Sequence, residues 1–544
     1  KSKKICGDQV PLKFCNLPAR KCAEHTNVYY YDIVIFSNDP GTWNVNSKEF
    51  VSYYIEKGPF EYQNLNADFS LSANNEFITL IAKKTRLVIV NEIKKAGYYS
   101  ISVDSTPDIS HIDQLTIIIR YVTCNGPVER FLTFINIENH TGKYLAPILL
   151  EFMVDNEIDI NLCRGQSYDN ASNMSGPYSG MQAIIKANNP FADFISCTAH
   201  SLNLVGQSAV DCCVETVSFF GFVQELYNFF SVSTSRWSIL KKSLDSKCPV
   251  PKSIAKTRWS ANAEAIKALS IGYKDIYTAL VCIKNDEFQK QTTRQQSRNL
   301  IGIMSKLETG IICELWNDIL GPFNICSKSL QSINIDLCTA INLMKSLKSV
   351  LDQIREKYDN YEFKGMEITV NKPYKSSENR KRKKRCDNET AYMFTDKELF
   401  KVQTFYVIID KLNSALQYRI DAYKEVENNF RLLSNFSIEM KSEQIEEGMK
   451  NLCKKYPIDF PHSFKDEFKQ FITFTSLSLP IYNTSNNSIE KFINLYKMIL
   501  NLNVSECFPN VEKTLRLYLT LMCTNCSGER SFSRLKLIKK CIKI

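Results

Sequence analysis

The stretch Tyr98, Tyr99, Ser100, Ile101, Ser102, Val103, Asp104, Ser105, Thr106, Pro107, Asp108 decides how the chain is read. Before it, from about Ala67 to Ala96, apolar residues recur at helical spacing. Within it they switch to every second position, with Tyr99, Ile101 and Val103 alternating against Ser100, Ser102 and Asp104. A helix therefore feeds a strand with one apolar face, and Asp104 ends that strand. Two more β-rich runs follow, Leu115 to Val122 and Arg130 to Ile137, joined by Cys124, Asn125, Gly126 and Pro127, which have the composition of a tight turn.

Downstream, Tyr144 to Val154 has helical character, a short run ends at Tyr168, Met181 to Ala187 reads as a helix, and Phe191 to Cys197 is apolar. The order is β-β-β-α-β-α-β. Parallel strands need helical crossovers, so strands one, four and five are predicted to run parallel beside an antiparallel hairpin. From about Leu202 to Leu519 the pattern is almost wholly helical; Phe405, Ile409, Leu412, Leu416, Ile420 and Tyr423, for example, fall on one face. The expected fold class is an α/β core with a mixed five-stranded sheet, interrupted by a large all-α insertion.

The insertion has one break, residues 372–388. Pro373, Ser376, Ser377 and the run Arg380, Lys381, Arg382, Lys383, Lys384 and Arg385 cannot bury themselves there, and a flexible loop is expected. A nuclear import signal, a phosphate-contacting loop and a solvated linker all remain open for it.

Composition narrows the class. The chain has 544 residues, too many for one ordinary core, and two to four folding units are expected. With 18 glycines and 17 prolines, turn punctuation is sparse, which favours long helices over a many-stranded sandwich. A net charge of +10, from 68 basic and 58 acidic side chains, tolerates a polyanionic partner without demanding one. Nineteen cysteines scattered irregularly do not resemble a secreted disulfide framework, so reduced thiols in a nucleus or cytosol are expected. Lys1, Ser2, Lys3 and Lys4 precede no apolar signal core, and apolar stretches such as Leu115 to Val122 are interrupted by charge, so no membrane association is expected. Cys6, Cys15, Cys22 and His25 repeat no familiar zinc-ligand spacing, and both a metal site and an ordered flap with free thiols stay open.

The polar face of the first strand carries the chemistry. Asp104 has a counterpart in Asp169, which follows the fourth strand in Tyr168, Asp169, Asn170, Ala171, Ser172, Asn173, Met174. If strands one and four are neighbours, both carboxylates emerge at one sheet edge, where they repel unless a cation bridges them. Hard oxygen ligands of this kind suit Mg2+ or Mn2+, which keep positions open for water and phosphate oxygens. Taken alone, an aspartate after a strand serves equally well as a turn or cap residue.

The stretches Ile101 to Thr106 and Cys163 to Met174 resemble the first and second acidic motifs of hAT superfamily transposases, in the branch shared with zinc-finger MYM-type 1-like proteins. The resemblance continues through Cys197, Thr198, Ala199, His200, Ser201, Leu202, Asn203, Leu204, through Thr257, Arg258, Trp259, Ser260, Ala261, and to Gly528, Glu529, Arg530, Ser531, Phe532, Ser533. It covers about residues 70 to 544 in order.

The resemblance implies a ribonuclease-H-like core, with a catalytic and metal-binding triad of Asp104, Asp169 and Glu529 acting on DNA with Mg2+ or Mn2+. The gap between the last two, 529 − 169 = 360 residues, is then the helical insertion. It further implies that His200 orients DNA or a scissile phosphate, that Trp259 stacks on a flipped base and that Arg258 holds a phosphate. The residues by themselves allow a buried core histidine and a helix-core tryptophan. A nuclear location and self-association as a homodimer or higher oligomer through the C-terminal region are also implied.

The expected domains are an N-terminal segment, 1–66, as a remnant of the region before a zinc-finger module; the first part of the core, 67–213; the insertion, 214–510; and the last core helix with a shortened dimerisation region, 511–544. The paired-cysteine DNA-recognition module of the family is expected to be missing, and Glu529, fifteen residues from Ile544, is expected to be loosely held.

Overall fold

A computed structural model describes residues 67–255, 259–374, 394–434, 436–437, 439–461, 464–478 and 488–542. Cys6, Cys15, Cys22 and His25, residue Arg258 and the basic run Arg380 to Arg385 lie outside the described residues. The chain divides into two compact units, one of Lys1–Thr198, Ser332–Cys338 and Glu425–Ile544, the other of Ala199–Gln331 and Thr339–Lys424.

The first unit holds a five-stranded sheet of order β3-β2-β1-β4-β5. Its strands are β1 (Tyr99–Pro107), β2 (Asp113–Thr123), β3 (Gly126–Ile137), β4 (Cys163–Ser167) and β5 (Asp193–Phe194). β1 pairs antiparallel with β2 and parallel with β4, and β4 pairs parallel with β5. The predicted parallel trio beside a hairpin is what forms. The hairpin turn at Gly126 has φ +115, a backbone conformation open to glycine. The fifth strand is shorter than the apolar run suggested, because only two of its residues make ladder contacts.

The period-two pattern divides the sheet faces. Tyr99, Ile101 and Val103 on β1 and Leu115, Ile117, Ile119 and Tyr121 on β2 are buried in one core with four helices. These are α1 (Ala67–Ala96), α2 (Gly142–Asp155), the short α3 (Ser172–Ser175), which contributes Met174, and α4 (Met181–Asn188). On the opposite face, Ile118 and Phe131 pack with Met522, which belongs to the far end of the chain. Two helices cover this second face, Pro509–Thr520 and Cys526–Ile542.

Residues 425–510, expected within the insertion, group with the sheet unit instead. The reason is a set of buried polar ties that periodicity cannot reveal. Arg164 at the start of β4 pairs with Asp459 at 3.0 Å, and its guanidinium lies 4.7 Å from the Tyr98 ring centroid. The Tyr456 hydroxyl donates to Asp193 of β5 at 3.0 Å.

The second unit is helical among the described residues. Phe405, Ile409, Leu412, Leu416, Ile420 and Tyr423 are all buried, as their spacing predicts. Tyr423 donates its hydroxyl to Ser201. No helix of the described residues is long and apolar enough to cross a membrane.

Asp108, just past β1, ties the sheet to the last helix. Its carboxylate accepts the backbone N–H groups of Ser110 and Ile112, the Gln114 amide and the Lys539 ammonium. Burial alone would raise this carboxyl; those four donors together outweigh it and hold it at about 2. A depressed acid contributes stability that is present above its unfolded value, about 3.9, and is lost as pH falls through the folded value. Asp108→Asn is therefore expected to cost about 1 to 2 kcal/mol at pH 7. In urea denaturation of the full chain, the gap to wild type should close between about pH 4 and pH 2; a gap constant with pH would refute the ionic tie.

Candidate active site

Register places the first two acids. Ser102 of β1 pairs with Ser167 of the parallel strand β4, and Asp104 and Asp169 each follow two residues later, at the same end of adjacent strands. Asp104 does not end β1 as expected, because pairing with β2 continues to Pro107 and sets Asp104 opposite Thr116. It shares the polar face with Ser100 and Ser102, toward the helix Cys526–Ile542.

The third acid arrives on that helix. Gly528 lies against β1 so closely that a Cβ there would sit 3.1 Å from Asp104 Cβ and 3.2 Å from Thr116 Cγ2. A side chain at 528 would push away the turn bearing Glu529. Ser531 and Thr116 share a hydroxyl hydrogen bond of 3.2 Å, and the Phe532 and Phe134 rings stand 5.4 Å apart.

A buried polar chain holds the same turn from below. Arg120 of β2 pairs with Glu129 of β3 at 3.0 Å, and Glu129 also accepts from the Ser527 hydroxyl, which in turn accepts from Arg530. With Lys539 on Asp108 at its other end, the helix is fixed at both ends, contrary to the expectation of a loose Glu529. Sequence reading missed Glu129 and Arg120 because a charged pair inside a hairpin looks like ordinary surface polarity.

The link before this helix docks on the end of β5. The Thr198 N–H and hydroxyl both donate to the Cys523 carbonyl, at 2.9 and 2.8 Å, and the Asn525 N–H donates to Cys197 Sγ. Cys197 in turn donates its N–H to the Tyr168 carbonyl, beside Asp169. Three segments remote in sequence thus meet at one sheet edge.

Asp104 and Asp169 are half-buried and Glu529 is exposed. Burial, then the charges of Glu529 and Asp169, push the Asp104 carboxyl up to about 8. Among the described residues none of the three forms an ion pair, while Asp104 and Asp169 each accept one backbone N–H, from Ser105 and Ala171. In kind, hard oxygens with unbalanced negative charge fit a divalent cation. In arrangement the fit is incomplete, since among the described residues no group of three or more His, Cys, Asp or Glu side chains is set to hold a metal ion. The carboxylates lie within electrostatic reach without forming a ready ligand shell, and exposed Glu529 is the one with room to move.

His140 borders this edge and carried no sequence signal. Its Nδ1 lies 3.4 Å from the Ser105 hydroxyl, its Nε2 3.1 Å from Asp113, and its carbonyl accepts from Asn173, four residues past Asp169. His200 is half-buried in the first turn of the helix Thr198–Val210 and is assigned to the second unit.

Trp259 departs from the role the resemblance implied. It is 4% exposed in the core of the second unit, its indole N–H donates to the Asn203 carbonyl at 2.9 Å, and its ring stacks on Trp316 at 6.2 Å. Gly206 makes room for it, since a Cβ there would come within 2.4 Å of the indole. This is the helix-core tryptophan that the residue pattern allowed, its large apolar surface being satisfied by packing. A base cannot stack on it without displacing that core.

The first unit is an α/β unit in which Asp104 and Asp169 lie toward the same end of two adjacent parallel strands. Residues 43–180 match the family profile described as DUF4371, ZMYM1/FAM200, RNase-like domain, which takes in Asp104 and Asp169. The chain is also similar to the 52 kDa repressor of the inhibitor of the protein kinase. It is 21% identical to that protein of Mus musculus over 290 residues, 50% of this chain and 37% of the relative. To that of Homo sapiens it is 21% identical over 316 residues, 56% of this chain and 41% of the relative. The chain thus spans about two fifths of the length of these curated relatives.

Proposed function

We propose that the chain is a transposon-derived, hAT-type protein whose first unit is ribonuclease-H-like and whose Asp104, Asp169 and Glu529 serve metal-dependent cleavage and transfer of DNA strands. The observation that supports this reading is the register that sets Asp104 and Asp169 at the same end of adjacent parallel strands, with the Asp104 carboxyl pushed up to about 8 by burial and by the charges of Glu529 and Asp169. Soluble folds do not assemble like charges without a counterion at no cost. Asp104, Asp169 and Glu529 would hold Mg2+ or Mn2+. Bound there, the ions would supply charge neutralisation for the reacting phosphodiester. In support of it, Asp104 lies on β1 and Asp169 two residues past β4, Glu529 lies in the first turn of the packed last helix, and the exposed His140 imidazole lies against Ser105. A nuclear location and self-association through the C-terminal region belong to the same reading.

On this reading metal should stabilise the folded chain, because the unfolded chain would hold the three acids apart. Millimolar Mn2+ is expected to raise the melting temperature of the full chain and to support cleavage of labelled DNA. Asp104→Asn should abolish both. No shift and no cleavage product in wild type would end the enzymatic reading.

The second reading is a non-enzymatic, dimerising, DNA-associated nuclear protein that keeps the fold. It is favoured by the lack of a ready ligand shell among the described residues. It predicts that Asp104→Ala leaves DNA binding and oligomeric state unchanged, which fluorescence anisotropy and light scattering would read directly.

A further inference from the structure

The helix Cys526–Ile542 carries Arg530, Arg534, Lys536, Lys539 and Lys540 against one acid, Glu529. Its inner side is spent on packing. Gly528, Ser531 and Phe532 meet β1, β2 and β3, and Lys539 pairs with Asp108. Its outer side is exposed at Glu529, Ser533, Lys536 and Lys540. At about 100° per residue these four positions fall within one narrow stripe.

Lys536 and Lys540 form no ion pair among the described residues. Surface helices commonly offset lysines with acids three or four positions away; here the stripe offers only a serine and the active-site glutamate. The helix dipole favours cations in the last turn, which accounts for Lys540 but leaves Lys536, well before that turn, unexplained.

We propose that this stripe is the track for the backbone of the DNA strand being processed, running from Lys540 past Lys536 to the acids. The inference rests on the proposed catalytic reading for its direction, since Glu529 at the head of the stripe marks where the scissile phosphate arrives. Lys536 and Lys540 are one turn apart, about 6 Å along the axis, the scale of one phosphate-to-phosphate step of an extended strand, so each lysine can meet its own phosphate. Ser533, between them and Glu529, donates its hydroxyl to the Glu529 carbonyl at 3.2 Å, so the two ammonium groups are the stripe's donors to phosphate oxygen. The lysines supply attraction where the acids repel a polyanion, so the substrate is held beside a site that would otherwise reject it.

The test uses the full chain, a fluorescein-labelled single-stranded DNA and the double variant Lys536→Gln/Lys540→Gln. Anisotropy titrations across a salt series should show affinity about tenfold weaker and a salt slope smaller by about 1.4, from two phosphate contacts at about 0.7 each. Lys536→Arg/Lys540→Arg should restore both, and matching melting temperatures would show that each variant folds. Unchanged affinity and slope in the glutamine variant would overturn the track, even if manganese-dependent cleavage is intact. Weaker binding without any cleavage by wild type would support the track while the catalytic reading fails. Tighter binding of an RNA strand of the same sequence would overturn the choice of DNA.

Discussion

Asp169→Asn is expected to lower manganese-dependent cleavage of DNA by about three orders of magnitude, the scale seen when charge stabilisation is removed from a preorganised site. The substitution is nearly isosteric. Asp169 Oδ1 accepts the Ala171 N–H at 3.2 Å, a bond an asparagine oxygen can keep, so the turn after β4 should survive. What disappears is the charge of Asp169 beside Asp104, one of the influences that raise the Asp104 carboxyl. The metal-free variant should melt slightly higher than wild type, because repulsion on Asp104 is relieved. That opposite response of stability and activity separates loss of chemistry from loss of fold. Cleavage within tenfold of wild type would remove Asp169 from the active site.

Glu129→Ala should be the most damaging single change to the sheet unit. Arg120 and Glu129 are 2% and 4% exposed. Arg120 also donates to the Leu519 carbonyl at 2.9 Å and to the Ile333 carbonyl at 2.8 Å. Removing the carboxylate leaves a buried guanidinium without its counterion, at a cost of about 3 to 5 kcal/mol. It also releases Ser527 and the turn that carries Glu529. Replacing both partners together, Arg120→Met with Glu129→Leu, should recover much of the stability, since no buried charge remains. Urea denaturation would measure both; a loss below about 1 kcal/mol for Glu129→Ala would mean that water reaches the pair.

The alternation around Ile101, Ser102 and Val103 is enough to place β1, its polar face and Asp104 on that face, because strand periodicity is a local property. The parallel pairing of β1 with β4 follows from chain handedness and crossover length. Other features are long-range and leave no periodic mark. The grouping of 425–510 with the sheet depends on single contacts such as Arg164 to Asp459. The position of Glu529 depends on a glycine, Gly528, whose meaning is invisible until Asp104 is seen beneath it. His140 reaches the edge from a loop, where neither spacing nor composition signals a neighbour 35 positions away. Trp259 shows the opposite hazard, an aromatic in a motif whose surroundings make it core.

The arrival of the third acid 529 − 169 = 360 residues after the second has a consequence for biosynthesis. While a ribosome extends this chain, β1 to β5 can pair early, yet the face bearing Asp104 stays uncovered until the helices Pro509–Thr520 and Cys526–Ile542 emerge. The nascent sheet must wait, with Ile118 and Phe131 open to water, through the synthesis of an entire helical unit. Contacts so distant in sequence close slowly, and the waiting surface is one that a chaperone would be called on to shield.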